Sequence, residues 1–245
     1  MRESPASSMR NETPQFGIDA PTLVLGFAIG GPLLIALSFV GWLGPVPALV
    51  WAMRYTGLIM IAEAILMTLS SLYGKRIALR RLVDALALHG DEQVLEVGCG
   101  RGMLLLETAR RLPRGRVTGI DLWSTRDQSG NAADATARNA ERAGLYERVR
   151  IDTGDMRHLP YPDASFDAVV TSLAIHNLPT EADREQAVRE IARVLKPGGR
   201  VALLDFRHTA GYARTLRDNG LADARRHGPD FRMFPWVWVV RGHKG

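Results

Sequence analysis

Three shortages shape this chain: cysteine, charge in its first third, and the third glycine of a dinucleotide-binding turn. One cysteine, Cys99, in 245 residues rules out an internal disulfide and fits a reducing compartment. No low-complexity tract and no internal repeat is present, so neither a linker-like nor a solenoid protein is in prospect. The formal charge is +5. The basic clusters Arg110-Arg111 and Arg114–Arg116 carry no interleaved aromatic residues. Without a stacking platform they make a poor nucleic-acid surface, and no nucleic-acid partner is expected. A hydrophobic content of 46% over this length suits one globular domain and an appendage.

The missing charge is the first clue to the appendage. Between Asp19 and Arg54 there is no Asp, Glu, Lys or Arg. As a helix, Thr22–Leu43 would be about 33 Å long, close to the hydrocarbon thickness of a bilayer. Gly30-Gly31-Pro32 would kink it, Gly44-Pro45-Val46-Pro47 would end it, and a second apolar stretch follows from Ala48 to Tyr73. Trp42, Trp51, Tyr55 and Tyr73 stand near the ends of the two stretches, where amphipathic rings favour a membrane interface. Lys75, Arg76, Arg80 and Arg81 come next, while residues 44–50 hold no basic side chain. The expectation is a polar tail (1–20), a hairpin of two transmembrane helices (21–74), and a catalytic domain (75–245). The positive-inside rule places that domain on the cytoplasmic side of a multi-pass membrane protein. A signal peptide would have a shorter apolar core. A buried or dimer-forming hairpin, and a second stretch lying along the membrane surface, stay open. Glu63 is costly at a bilayer centre; it is neutral, paired with Arg54, or turned to the first helix.

From residue 91 the pattern changes. Apolar runs alternate with helical periodicity: strands near 93–97, 116–121, 148–152, 166–173 and 199–206, helices near 76–88, 102–112, 131–143, 181–195 and 211–219. Such alternation predicts a parallel sheet with helices on both faces. The strand Val94–Val97 breaks into Gly98-Cys99-Gly100-Arg101-Gly102, and the next strand closes on Asp121. Strand, glycine turn, helix and strand-end acid make half of a nucleotide site. A dinucleotide fingerprint would put its third glycine at 103, which is Met. A nicotinamide-dependent oxidoreductase is thereby the weaker alternative.

With Glu96 two residues before the turn, the motif resembles that of the class I S-adenosylmethionine-dependent methyltransferases. Further phrases follow in that family's order: Gly154-Asp155-Met156, Ser165–Val170 and Leu195–Arg200. The nearest flavour is the ubiquinone/menaquinone-biosynthesis C-methyltransferase-like branch. This resemblance implies an α/β fold, a doubly wound, mostly parallel seven-stranded Rossmann-like sheet whose last strand runs antiparallel. It implies S-adenosyl-L-methionine as cofactor. Gly98, Cys99, Gly100 and Gly102 would pass beside its methionine part, with Glu96 near the ammonium. Asp121 would hold the ribose, Leu122 and Trp123 would flank the adenine, Asp155 would accept from its amino group, and the Met156 amide would lie near the ring.

Ser172–Asn177 ends the fourth strand, at the sheet edge where ligands bind. Ser172 is expected at the cofactor, and His176 is the candidate general base. A structural role for His176 stays open. Cys99 is read as a small residue under the cofactor, not a nucleophile. Residues 124–131 are either a specificity loop or a solvated loop in which Ser129 or Asn131 caps the next helix. Asp205 faces the pocket or caps its strand. No metal ligand set is singled out, and one cysteine is too few for arsenic methylation. The expected activity is methyl transfer to a small, lipophilic acceptor by a protein bound to membrane lipid through its hairpin. A non-catalytic cofactor-binding membrane protein is the alternative.

Overall fold

The computed structural model describes residues 13–17, 19–40, 46–124 and 131–245. The first apolar stretch forms helix α1, Pro21–Leu37, with proline in its first turn and Pro32 inside it. Its 17 residues make a rod of about 26 Å, shorter than the predicted span to Leu43. Residues 41–45, with Trp42 and Gly44-Pro45, lie outside the described residues. Helix α2 runs Pro47–Leu69. It continues through a π turn, Ser70–Gly74, into α3, Lys75–Asp84. Among the described residues, this continuous rod Pro47–Asp84 is the one helix long and apolar enough to cross a membrane.

α1 and α2 pack as a hairpin because glycine lets their backbones touch. A Cβ on Gly31 would lie 2.7 Å from the Gly57 carbonyl oxygen, and one on Gly57 would lie 2.6 Å from that of Gly31. Close backbone approach over small residues is a known way to join apolar helices. Arg54 is paired at the hairpin's far end: its Nε donates to Ser38 Oγ at 3.1 Å and its guanidinium lies 4.4 Å from the Phe39 ring. It does not pair with Glu63, which is half-buried on α2. Leu25, Ile29, Leu33, Leu58, Ile59 and Ile65 are each more than half exposed.

The part that follows the hairpin is built on a seven-stranded sheet of order β3-β2-β1-β4-β5-β7-β6. Its strands are β1 Gln93–Val97, β2 Arg116–Asp121, β3 Val149–Thr153, β4 Phe166–Ser172, β5 Leu195–Asp205, β6 Arg225–Asp230 and β7 Val237–His243. The first five pair in parallel, and β7 runs antiparallel to β5 and β6. The remaining helices are α4 Met103–Ala109, α5 Ala133–Arg142, α6 Glu181–Val194 and α7 Thr209–Asp218. α3, α4 and α5 cover one face, and α6 and α7 the other, each over its own apolar core. β1 sits at the switch point, because the chain leaves it first toward β2 and later returns to its other side as β4. A crevice at the carboxyl ends of β1 and β4 follows from that order.

Gly57→Leu should push α1 and α2 apart at a cost of about 1–3 kcal/mol, as overpacking does. Hydrogen exchange should show lost protection over Pro47–Leu69 with the sheet unchanged; equal protection in both proteins would refute the close crossing.

Candidate active site

At the switch point lies a cavity of about 670 Å³. Its floor is the turn after β1. Gly98, Gly100 and Gly102 have φ of 75°, 49° and 83°, in the left-handed region that glycine adopts without strain. A Cβ on Gly98 would also sit 2.3 Å from the Ala174 Cβ, so the turn is both bent and crowded. The Gly98 amide donates to the Ile120 carbonyl at 2.8 Å, and the Gly100 amide donates to Asp121 Oδ2 at 2.8 Å. Asp121 Oδ1 accepts from the Trp123 amide at 2.7 Å and from Asn131 Nδ2 at 3.2 Å. Asp121 is thereby fixed at the lip of the cavity, half-buried.

Glu96 is 2% exposed and lines the same cavity, and its Oε2 has no hydrogen-bond partner. Burial pushes its carboxyl well above the usual range, the Asp121 carboxylate adds to this, and the Lys75 ammonium opposes it. A buried acceptor without a donor is costly, and here it faces a space that a cationic ligand group would fill. Burial, then the Glu96 and Asp121 carboxylates, push the Cys99 thiol up as well. Cys99 lies under the turn as a small apolar side chain, unsuited to nucleophilic attack.

Across the cavity, Ser172 and His176 stand at the end of β4. His176 Nδ1 lies 2.8 Å from Asp205 Oδ1. Asp205, at the end of β5, is 2% exposed. Its carboxylate accepts from the amides of Phe206 and His176 and from the Tyr212 hydroxyl. Burial and this carboxylate push the Tyr212 phenol up, so it stays a donor. Asp205 therefore stands beside the imidazole as well as closing its strand, a close charge contact whose angles do not make a hydrogen bond. The His176 ring also meets the Phe206 ring edge-to-face at 4.5 Å.

Of the expected cofactor residues, Glu96, Gly98, Cys99, Gly100, Asp121, Leu122, Met156 and Ser172 line the cavity together with His176. Gly102 shapes the turn from behind, packed against Thr136. Trp123 and Asp155 do not line the cavity themselves, although Leu122, Gly154 and Met156 beside them do. The Trp123 indole donates to Thr153 Oγ1 at 2.7 Å. Asp155 is clasped by Arg157, whose Nη2 donates at 2.6 Å and whose amide donates at 2.9 Å. That guanidinium holds the Asp155 carboxyl below its ordinary range. Both side chains thus have a partner within the protein. Asn131 is not the helix cap, a position held by Ala132 without a side-chain bond. It is buried and turned onto Asp121. Residues 125–130, Ser129 among them, lie outside the described residues.

The other wall comes from far away in sequence. Phe16, Asp19–Leu23, Met67, Ser70, Ser71 and Lys75 line the cavity, as do Met233, Phe234 and Pro235. The π turn joins them. Ser71 Oγ accepts from the Asp19 amide at 3.2 Å, Ser70 Oγ accepts from the Phe234 amide at 2.8 Å, and Lys75 Nζ donates to Asp19 Oδ1 at 2.8 Å. π turns inside α-helices often mark functional sites. The basic run after the apolar stretch was visible in sequence, but not that Lys75 turns inward toward Glu96. No cluster of potential metal ligands occurs among the described residues.

Residues 95–203 match a family model described as a methyltransferase domain. The chain is 38% identical over 129 residues to the 27-O-demethylrifamycin SV methyltransferase of Amycolatopsis mediterranei (strain S699), covering 51% of this chain and 43% of that protein. It is 38% identical over 128 residues to a demethylmenaquinone methyltransferase of Deinococcus radiodurans, covering 52% and 48%. The chain thus spans a little under half the length of these relatives. A solved geranyl diphosphate methyltransferase in complex with GPP and sinefungin superposes with a TM-score of 0.58 at 16% identity, covering 76% of this chain and 84% of that one. At such identity the likeness speaks for the fold. Residues 95–203 are thus similar to a methyltransferase domain, and the fold is like that of a solved methyltransferase.

Because its thiol is buried and flanked by carboxylates, Cys99 should resist alkylation. Iodoacetamide at mildly alkaline pH should label the native chain at least about ten-fold more slowly than the denaturant-unfolded chain; equal rates would refute the environment described.

Proposed function

We propose that this protein is a membrane-anchored methyltransferase that moves a methyl group from S-adenosyl-L-methionine to a small, lipophilic acceptor. The observation that carries this reading is the unpartnered Glu96 Oε2, buried beside a glycine turn that Asp121 ties in place. The donor set fits the cofactor: Glu96 for the ammonium, Asp121 for the ribose hydroxyls, Leu122, Gly154 and Met156 for the adenine side. Bound there, the sulfonium supplies an already activated methyl group, and the protein's task is to align, to exclude water and to take a proton. His176 accepts the proton that the nucleophile loses, and Asp205 at its back stabilises the imidazolium that forms. Several relatives are named for quinone substrates, and one solved neighbour is a complex with geranyl diphosphate. An apolar wall of Phe16, Leu23, Met67 and Phe234 suits an acceptor of such lipophilic character. The exposed leucines and isoleucines of the hairpin support a seat in lipid, and the basic turn of α3 supports a cytoplasmic side for the catalytic domain.

Methyl-labelled S-adenosylmethionine incubated with the protein and a membrane extract should transfer label into an extractable lipophilic molecule. Absence of any labelled product, with cofactor binding intact, would refute the enzyme. Asp121→Ala should weaken cofactor binding by ten-fold or more, the loss of charged hydrogen bonds worth about 1.5–3 kcal/mol. His176→Gln should leave cofactor binding intact and lower turnover by about 10²–10⁴-fold; undiminished turnover would exclude it as the base.

Glu96 gives the site a pH dependence. Its folded pKa lies above the unfolded one, so the neutral acid favours the fold below the ordinary carboxyl range, and that contribution fades as pH rises through the raised value. A cofactor ammonium favours the carboxylate, so binding releases a proton and tightens with rising pH across the same window. Calorimetry in two buffers of different ionisation enthalpy should detect the proton in the parent and not in Glu96→Gln. Identical heats for the parent in both buffers would refute an ionisation of Glu96 on cofactor binding.

A further inference from the structure

The loop between β6 and β7, residues 231–236, has two working faces. Its inner residues, Met233, Phe234 and Pro235, line the cavity. Its outer ones, Phe231 and Trp236, are 73% and 47% exposed, with ring centroids 5.9 Å apart. Two large aromatic rings held together in solvent forgo the burial that such side chains normally gain. The loop is nevertheless well fixed. Asp230 Oδ1 accepts from the Arg232 amide at 3.0 Å and from its guanidinium at 2.9 Å. The Phe234 amide is bonded to Ser70, and a Cβ on Gly74 would lie 1.8 Å from the Arg232 carbonyl oxygen. Both contacts tie the loop to the foot of the hairpin.

What surrounds it at that level is apolar and then basic. Leu72, Tyr73 and Ile77 are exposed and continue the apolar surface of α1 and α2 down to the loop. Arg76, next in the chain, is exposed too. Aromatic rings at the end of an apolar surface, with arginines beside them, have the chemistry of a membrane interface.

We propose that the Phe231–Trp236 loop is a second membrane contact, seating both rings at the headgroup–acyl boundary of a lipid bilayer beside the hairpin's foot. This rests on the membrane reading of the hairpin. Its consequence is positional: one loop touches lipid on its outside and walls the cavity on its inside, so a lipophilic acceptor need not cross water to arrive.

The test uses the full chain with Trp236 as its sole tryptophan, Trp42, Trp51, Trp123 and Trp238 being replaced by phenylalanine. A sister variant keeps Trp51 alone. Both are reconstituted in phosphatidylcholine–phosphatidylglycerol vesicles whose acyl chains carry bromine either near the headgroup or near the chain end. Trp236 emission should fall more with shallow than with deep bromine. If Trp51 is quenched and Trp236 is not, the loop proposal is overturned while the hairpin stands. If neither is quenched, the hairpin's membrane reading fails and takes this proposal with it. Trp236 emission that responds to protein concentration and not to lipid would assign the rings to a second copy of the chain. Cofactor binding, measured on the same samples, shows that both variants are folded and keeps the methyltransferase reading separate. In the parent background, Phe231→Cys carrying a polarity-sensitive dye should report the same apolar shift on adding vesicles, with no shift counting against the loop.

Discussion

Gly100 gives its amide to a carboxylate 21 residues further along the chain, and most of the site hangs on that bond. It closes the bend between β1 and α4 against the end of β2. The bend can be that tight only because three of its residues adopt left-handed backbone angles. The same carboxylate takes the Trp123 amide and the Asn131 side chain, so it also fixes the start of the loop that follows β2. One acid thus defines the position of the turn, the lip of the cavity and the first residues beyond the strand.

Electrostatics make the arrangement incomplete by itself. Glu96 and Asp121 face the same space, and Glu96 is buried with one oxygen unpartnered. Lys75 is near enough to oppose the effect, but its ammonium is bonded to Asp19. A buried carboxyl without a donor is tolerated where function requires it and removed by selection elsewhere. A cationic ligand group beside Glu96 completes the charge balance. The opposite side of the cavity is built differently, around His176 and the well-satisfied Asp205. Two amides and a phenol hold that carboxylate in place beside the imidazole.

Local motifs were legible in the sequence and distant closures were not. The strand–turn–helix at Val94–Gly102 and the acid at Asp121 could be read because their geometry is set within a few residues. β1 and β2 came out with the expected boundaries, and α6 within one residue. The bonds of Asp155 to a residue two positions away and of Trp123 to the adjacent strand could not be read from the motif alone. Helix α1 ended before Leu43 although hydropathy continued past it, since hydropathy marks solvent preference and not where a helix stops. Least visible was the π turn. Nothing in Ser70–Gly74 announces that Asp19 and Phe234 will meet there, because those contacts span 52 and 164 residues.

These unequal readabilities follow from how the cavity is divided. Its floor comes from the Rossmann-like half, within the segment that matches the family model and is shared with relatives of different names. Its opposite wall comes from the hairpin's foot and the β6–β7 loop, both outside that segment. A fold that keeps cofactor chemistry in one half and recruits the other wall from an appendage can change acceptor without disturbing the donor. In this chain the recruited wall is mostly apolar, and it is bolted to a hairpin whose outer surface is apolar as well. The apolar side chains on the hairpin's outer surface and those on the cavity wall thus meet at one foot, around the π turn.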